Sequence, residues 1–176
     1  LIMGIVVSAL MGMALTLPIS SAAIGISLGL SGIAAGAAAV GCCSQMVGFA
    51  VMSFRENRWN GLFSQGIGTS MLQMPNIIKN PLIWLPPIIT SIVLGPISTC
   101  VLKMVNNATG SGMGTAGLVG QFMGYQAMTE SGVTPAVAIL EMVLMHFIAP
   151  AVLSLVMCEG MRKLKLIKPG DLKLDL

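Results

Sequence analysis

Hydrophobic positions along this chain do not alternate with polar ones at strand spacing. They run nearly unbroken over long stretches, and the punctuation comes from short clusters of Pro, Ser, Asn and charge. A helix crossing hydrocarbon needs about 20 mainly apolar residues. Four windows are suited to such a crossing, namely Leu1 to Pro18, Gly32 to Phe54, Pro81 to Leu102 and Val133 to Cys158. Between the first two, Ala22 to Ser31 is too short to span and too apolar for a wet loop. The third window holds Pro86, Pro87 and Pro96, each of which removes a backbone donor, so a straight helix is not expected there. Freed carbonyls at membrane depth need cover from protein or a polar cavity, so this segment should face the protein interior.

Residues 60 to 76 follow a different pattern. On a helical wheel Gln65, Thr69, Gln73 and Asn76 form one stripe and Phe63, Ile67, Met71 and Met74 the opposite one, with Leu72 as the exception. This predicts an amphipathic helix lying on the cytoplasmic face, whose plainest role is to brace the protein at the interface.

Composition agrees with lipid as the solvent. Hydrophobic residues make up 55% of the 176 and charged residues 9%, against about 25% charged in soluble domains. No charged side chain precedes Arg55. The net charge of +3 gathers in two places, Arg55 to Lys79 with three basic residues and the stretch after Met161 with five. Clusters like these mark cytoplasmic loops, not a nucleic-acid surface, and Lys103 is the one basic residue outside them. The expected organisation is a membrane domain over residues 1–161 and a cytoplasmic tail over 162–176. An apolar run begins at Leu1 with neither an initiator Met nor the basic flank of a signal peptide, which reads as part of a longer chain. Cys42, Cys43, Cys100 and Cys158 have no metal-binding spacing and read as small packing residues.

From Gly110 to Gly124 the chain carries six glycines in fifteen residues, after Asn106-Asn107 and before Gln126, Thr129 and Glu130. Gly112, Gly114 and Gly117 spell GxGxxG, yet no strand pattern precedes them, so a dinucleotide site is rejected. Two physical readings stay open. The segment is a re-entrant hairpin whose glycines let backbone approach a ligand, or Gly120 with Gly124, and Gly32 with Gly36, pack helices closely. Ionisable groups inside spans are expensive and therefore candidates for function. Glu141 and His146 qualify; five residues apart, they do not share a helix face, and each should meet a partner on another segment. A histidine satisfied by a backbone carbonyl is the alternative. Glu130 is either a binding carboxylate or a loop acid, and Gln45 and Gln121 either read solute hydroxyls or join helices. No catalytic constellation, cofactor motif or metal-ligand cluster is visible.

The order of these features resembles a known family. The strings QGIGTSMLQMPNIIKNP, PLIWLPPIITSIVLGPI, NNATGSGMGTAGLVGQF and ESGVTPA are similar to the EIIC-like membrane proteins of the bacterial phosphotransferase system, in the branch that includes the perfringolysin O regulator. The resemblance implies the C-terminal half of a bacterial inner-membrane protein, a homodimer, and a sugar-like ligand held by re-entrant hairpins and a carboxylate. Family members take that carboxylate from a Gly-Ile-Thr-Glu motif; here Thr129-Glu130 keep the last two residues, after Met128. Phosphorylation of a sugar would need phosphocarrier partners outside this chain.

The expected fold is thus all-α and membrane-integral, with about four transmembrane helices, a re-entrant glycine-rich segment and a cytoplasmic amphipathic helix. Expected substrate contacts are Gln45, Asn106, Asn107, Gln121, Thr129 and Glu130. Transport of a sugar-like solute is the first function to weigh; a membrane sensor or regulator without transport, and a purely structural subunit, are the others.

Overall fold

The computed structural model describes residues 1–174, and every regular element in it is helical. The last two residues of the expected tail lie outside the described ones. In chain order the elements are α1 (Ile2–Thr16), α2 (Ser21–Ser27), α3 (Gly32–Met52), α4 (Phe54–Phe63), α5 (Met74–Lys79), α6 (Leu85–Pro96), α7 (Ala108–Ser111), α8 (Val119–Glu130), α9 (Pro135–Met142) and α10 (Ala149–Lys163). Short π and 3-10 turns join several of them into longer rods. Three continuous helical runs are long and apolar enough to cross a membrane: Gly32–Met52, Pro81–Leu102 and Pro135–Lys163. The first expected span forms only the 15-residue α1, about 22 Å of helix, shorter than a straight crossing.

α3 is the axis of the bundle, surrounded by α1, α6 and α10, and every residue from Ala35 to Ala50 is buried. Its sequence explains this position: Gly, Ala, Cys and Ser dominate, so neighbours can approach from all sides. α1 presents Gly4, Ser8 and Gly12 at four-residue spacing. A methyl group at Gly12 would press on the Gly41 carbonyl, and one at Gly4 on that of Gly95. The Ser8 hydroxyl donates to Ser91 O on α6 at 2.7 Å.

The proline-rich span is composite, as its sequence predicts. Pro86 and Pro87 occupy the first turn of α6, where an amide hydrogen has no intrahelical partner to lose. Pro96 closes α6, and a π turn, Ile97–Leu102, follows at once. The buried side of α6 is Pro86, Pro87, Thr90, Ser91, Leu94 and Gly95, while Ile89, Ile92 and Val93 face outward.

Residues 60–76 do not form one helix. α4, itself broken at Arg58 (φ 51°), passes into a π turn over Ser64–Gly68, a 3-10 turn over Ser70–Gln73 and then α5. The two stripes survive, but the polar one points inward. Gln65 Nε2 donates to Ser53 Oγ at 2.7 Å, Gln73 Nε2 to Gln65 Oε1 at 2.8 Å and Asn76 Nδ2 to Gln73 Oε1 at 2.9 Å. Phe63, Ile67 and Met71 are exposed. The reason is the segment after α10, which folds back over this region and buries Ile167 and Leu172 against Phe49, Met52, Ile77 and Ile83. Its bare backbone is read by side-chain amides: Gln73 Nε2 donates to Leu172 O at 3.1 Å, Asn76 Nδ2 to Lys173 O at 2.8 Å and Asn57 Nδ2 to Leu172 O at 2.7 Å. The two basic clusters thereby meet at one end of the bundle, where Arg162 pairs with Glu56 and Arg55 with Glu159, both at 3.2 Å.

Candidate functional site

The glycine-rich segment doubles back beside α3. It leaves the N-terminal end of that helix, where Asn106 N–H bonds Gly32 O at 3.1 Å. It then passes Cys42, whose thiol donates to Ser111 O at 3.7 Å, and reaches Met46, whose sulfur lies 3.5 Å from the Thr115 hydroxyl. Fourteen residues of α3, about 21 Å, separate the two ends of that run. There the chain turns through left-handed conformations at Gly114 (φ 54°), Gly117 (φ 53°) and Leu118 (φ 58°) and returns as α8. No unbroken helix therefore runs from Asn106 to Thr129. Gly114 combines the left-handed angle with contact: an added Cβ would lie 2.9 Å from the Cys42 backbone. Gly112 sits on the Ser21 backbone, and the Ser21 hydroxyl donates to Gly112 O at 2.6 Å. Gly117 needs only its backbone angle. Close packing also accounts for Gly36, against the Met104 carbonyl, and Gly120, against that of Gly114; Gly32 has no such neighbour.

The two irregular segments touch at this turn. The Thr115 hydroxyl donates to Gly66 O, on the π turn after α4. Around that junction the polar residues divide into separate groups. Asn106 ties the hairpin: its Nδ2 donates to Gly120 O at 3.0 Å and its Oδ1 accepts from Asn107 N–H at 2.9 Å. Asn107 in turn caps α7, its Oδ1 accepting from Gly110 N–H at 2.9 Å.

Gln121 and His146 come together. Gln121 Nε2 lies 3.0 Å from His146 Nδ1 and 3.4 Å from Cys43 Sγ. The Gln121 carbonyl oxygen is buried without a partner. His146 belongs to a π turn, Val143–Ile148, that ends just before Pro150. Proline at that place cannot donate to the carbonyl four residues earlier and crowds it, which favours the wider turn. The partner of His146 is thus a side chain on another segment and not a backbone carbonyl. Gln121 also borders a groove of about 400 Å³ between α8 and α9, whose walls include Phe122, Tyr125 and Phe147.

Gln45 stands apart from this group. It follows Cys43 by two positions on α3, about 200° around the axis, and its Oε1 accepts from Thr16 Oγ1 at 3.2 Å and Trp84 Nε1 at 2.9 Å. Its Nε2 is buried without a partner. Thr129 and Glu130 lie at the far end of α8, Glu130 nine residues or about 13 Å beyond Gln121. The Thr129 hydroxyl is spent on Tyr125 O at 2.8 Å, and exposed Glu130 accepts from Gln126 Nε2 at 2.9 Å. Glu141, at the C-terminal part of α9, meets no partner on another segment among the described residues; its Oε2 is buried and unpaired.

Two features are absent from the sequence-based expectations. Nothing in the pattern of the chain pairs Trp84 with Gln45, and nothing in it marks the tail as the acceptor for the polar stripe. An excess of amide side chains over residues 57–80 is the available signal for the second.

Neither a curated protein nor a solved structure matches this chain. The family model described as "Phosphotransferase system, EIIC" matches residues 1–174. Together with an all-helical fold and three membrane-length helices, that match decides the identity: the chain belongs to the EIIC family, the membrane components of the phosphotransferase system for sugar-like substrates.

Proposed function

We propose that this chain binds a sugar-like solute at the turn of a re-entrant hairpin and takes part in moving it across the bacterial inner membrane. The observation that carries the proposal is the Gln121 carbonyl oxygen, buried and unpaired beside an aromatic-walled groove of about 400 Å³. An unpaired buried acceptor costs on the order of 1–3 kcal/mol, so its retention is explained by a ligand hydroxyl that satisfies it. The groove's lining is apolar and aromatic and suits the apolar face of a sugar ring, with the Gln121 amide buried directly behind it. Asn106 and Asn107 hold the hairpin that positions Gln121, and His146 fixes the amide; Glu130 lies about 13 Å further along α8, at its exposed C-terminal end. Two irregular segments meeting at Thr115 and Gly66 form the natural place for alternating access.

Eight basic residues at one end of the bundle support a cytoplasmic C-terminus. Outward-facing apolar residues on α9 and α10 support contact with lipid, with an N-terminal half and with a second copy. The strings NNATGSGMGTAGLVGQF and ESGVTPA support the branch that includes the perfringolysin O regulator.

Calorimetric titration of the purified protein with a panel of hexoses and disaccharides tests the site. A sugar that binds the unaltered protein should lose about tenfold or more in affinity to Gln121→Leu, which keeps the volume and removes the acceptor. Equal affinity in both would remove Gln121 from the site. Uptake of the same sugar into vesicles separates transport from sensing; binding without uptake supports a sensor.

A further inference from the structure

At the basic end of the bundle a second cavity, about 550 Å³, lies between residues 69–79 and the docked tail. It is unconnected with the groove beside Gln121, and the family match assigns it nothing. Lys79 approaches it from α5 and Lys173 from the tail. Both are exposed, and among the described residues neither takes part in an ion pair; the carboxylate of Asp171 is engaged by Asn80 Nδ2 at 2.7 Å and by Lys168 N–H at 2.8 Å. The Thr69 hydroxyl, also on the wall, accepts from Met71 N–H and keeps its own hydrogen to give. Lys173 is held in place through its backbone, since its carbonyl accepts from Asn76 Nδ2.

Part of the same wall is apolar. Met71, Leu72 and Pro75 line it, and Met71 and Leu72 are exposed. Trp59, 62% exposed, stacks with Phe63 on α4, and exposed tryptophan is the residue type found at headgroup level. Two ammonium groups and a hydroxyl donor set against an apolar rim match one ligand chemistry: a phosphate that carries acyl chains. A soluble anion would use the cations and leave the rim without purpose.

We infer that this cavity is a binding site for the headgroup of an acidic phospholipid, with Lys79 and Lys173 on the phosphate and Met71, Leu72 and Pro75 along the first acyl carbons. Because one lysine comes from each wall, the bound lipid also fastens the tail to the segment that carries the buried amide ladder. An acidic lipid in the cytoplasmic leaflet is attracted by basic side chains at the surface, and two such contacts correspond to an affinity gain of about tenfold or more.

Thermal unfolding of the full chain in neutral detergent provides the test, with short-chain phosphatidylglycerol, phosphatidylcholine and inorganic phosphate as the three additives. Phosphatidylglycerol should raise the midpoint and the other two should not, and the phosphatidylglycerol concentration giving half the shift should rise about tenfold or more in the K79Q/K173Q double variant. The single variant Lys163→Gln, at the same end but away from the cavity, should respond like the unaltered chain. An equal shift with inorganic phosphate would overturn the lipid assignment in favour of a soluble anion. The same half-point in the double variant, an equal loss in Lys163→Gln, or no shift with phosphatidylglycerol would each overturn the site.

Discussion

Replacing Gly41 by Ala is the most direct test of how the bundle is assembled. Gly41 sits midway along α3, and a Cβ there would stand 2.6 Å from the Ser8 carbonyl carbon and 2.7 Å from its Cα, where ordinary contact begins at 3.4 Å. The obstacle is backbone, its nearest atom the Ser8 carbonyl oxygen, so no rotamer change relieves it; α1 and α3 must part by about 1 Å or more. Parting them also loosens α6, because Ser8 Oγ binds Ser91 O and Ser91 Oγ reaches back toward Gly41 O at 3.4 Å. Forcing a methyl group into a packed core costs about 1–3 kcal/mol, and the backbone contact argues for the upper half of that range. Alanine's better helix propensity returns about 1 kcal/mol. The net loss is therefore about 1–2 kcal/mol, a fall of roughly 2–8 °C in Tm for a chain of this size. Tryptophan fluorescence during heating reads it in detergent, since Trp59 and Trp84 lie on other segments. A Tm unchanged or raised in Gly41→Ala would refute the close approach of α1 to α3.

Gly160 is the matched opposite: it lies in α10 with nothing within 4 Å of an added Cβ, so Gly160→Ala should stabilise by about 0.5–1 kcal/mol, and a lower Tm would show a neighbour the structure lacks. Ending the chain at Lys163 removes the backbone acceptors of Asn57, Gln73 and Asn76 and uncovers Phe49 and Ile77, so limited proteolysis should cut residues 54–80 about tenfold faster or more; unchanged protection would mean that the tail holds nothing. Cysteines introduced at Asn60 and Lys173, in a background where exposed Cys100 is Ser, should resist an impermeant reagent added to intact cells, and labelling of either from outside would reverse the orientation.

Much of this architecture is legible without coordinates because it follows from solvent alone. A window of about 20 mainly apolar residues has one favourable place, the hydrocarbon, and Gly32–Met52, Pro81–Leu102 and Pro135–Lys163 declare themselves by that rule. Prolines and glycines are equally local in effect: Pro96, past the first turn of its helix, removes a backbone donor and ends the α-helical pattern, and six glycines between 110 and 124 cannot sustain one straight rod. Partner choice is another matter. The wheel over residues 60–76 separates two stripes correctly but carries no information on which stripe faces which medium, and the tail reverses the ordinary answer by offering bare carbonyls to Gln73 and Asn76. Gln45 and Gln121 are indistinguishable as buried amides on sequence. Only the angle of about 200° between Gln45 and Cys43 on α3, and the doubling back of the hairpin beside it, separates the amide that meets Trp84 from the one that meets His146. Periodicity and solvent preference act on each residue by itself and can be read along the chain; a hydrogen bond depends on two residues and on where the fold brings the second, which only the tertiary structure decides.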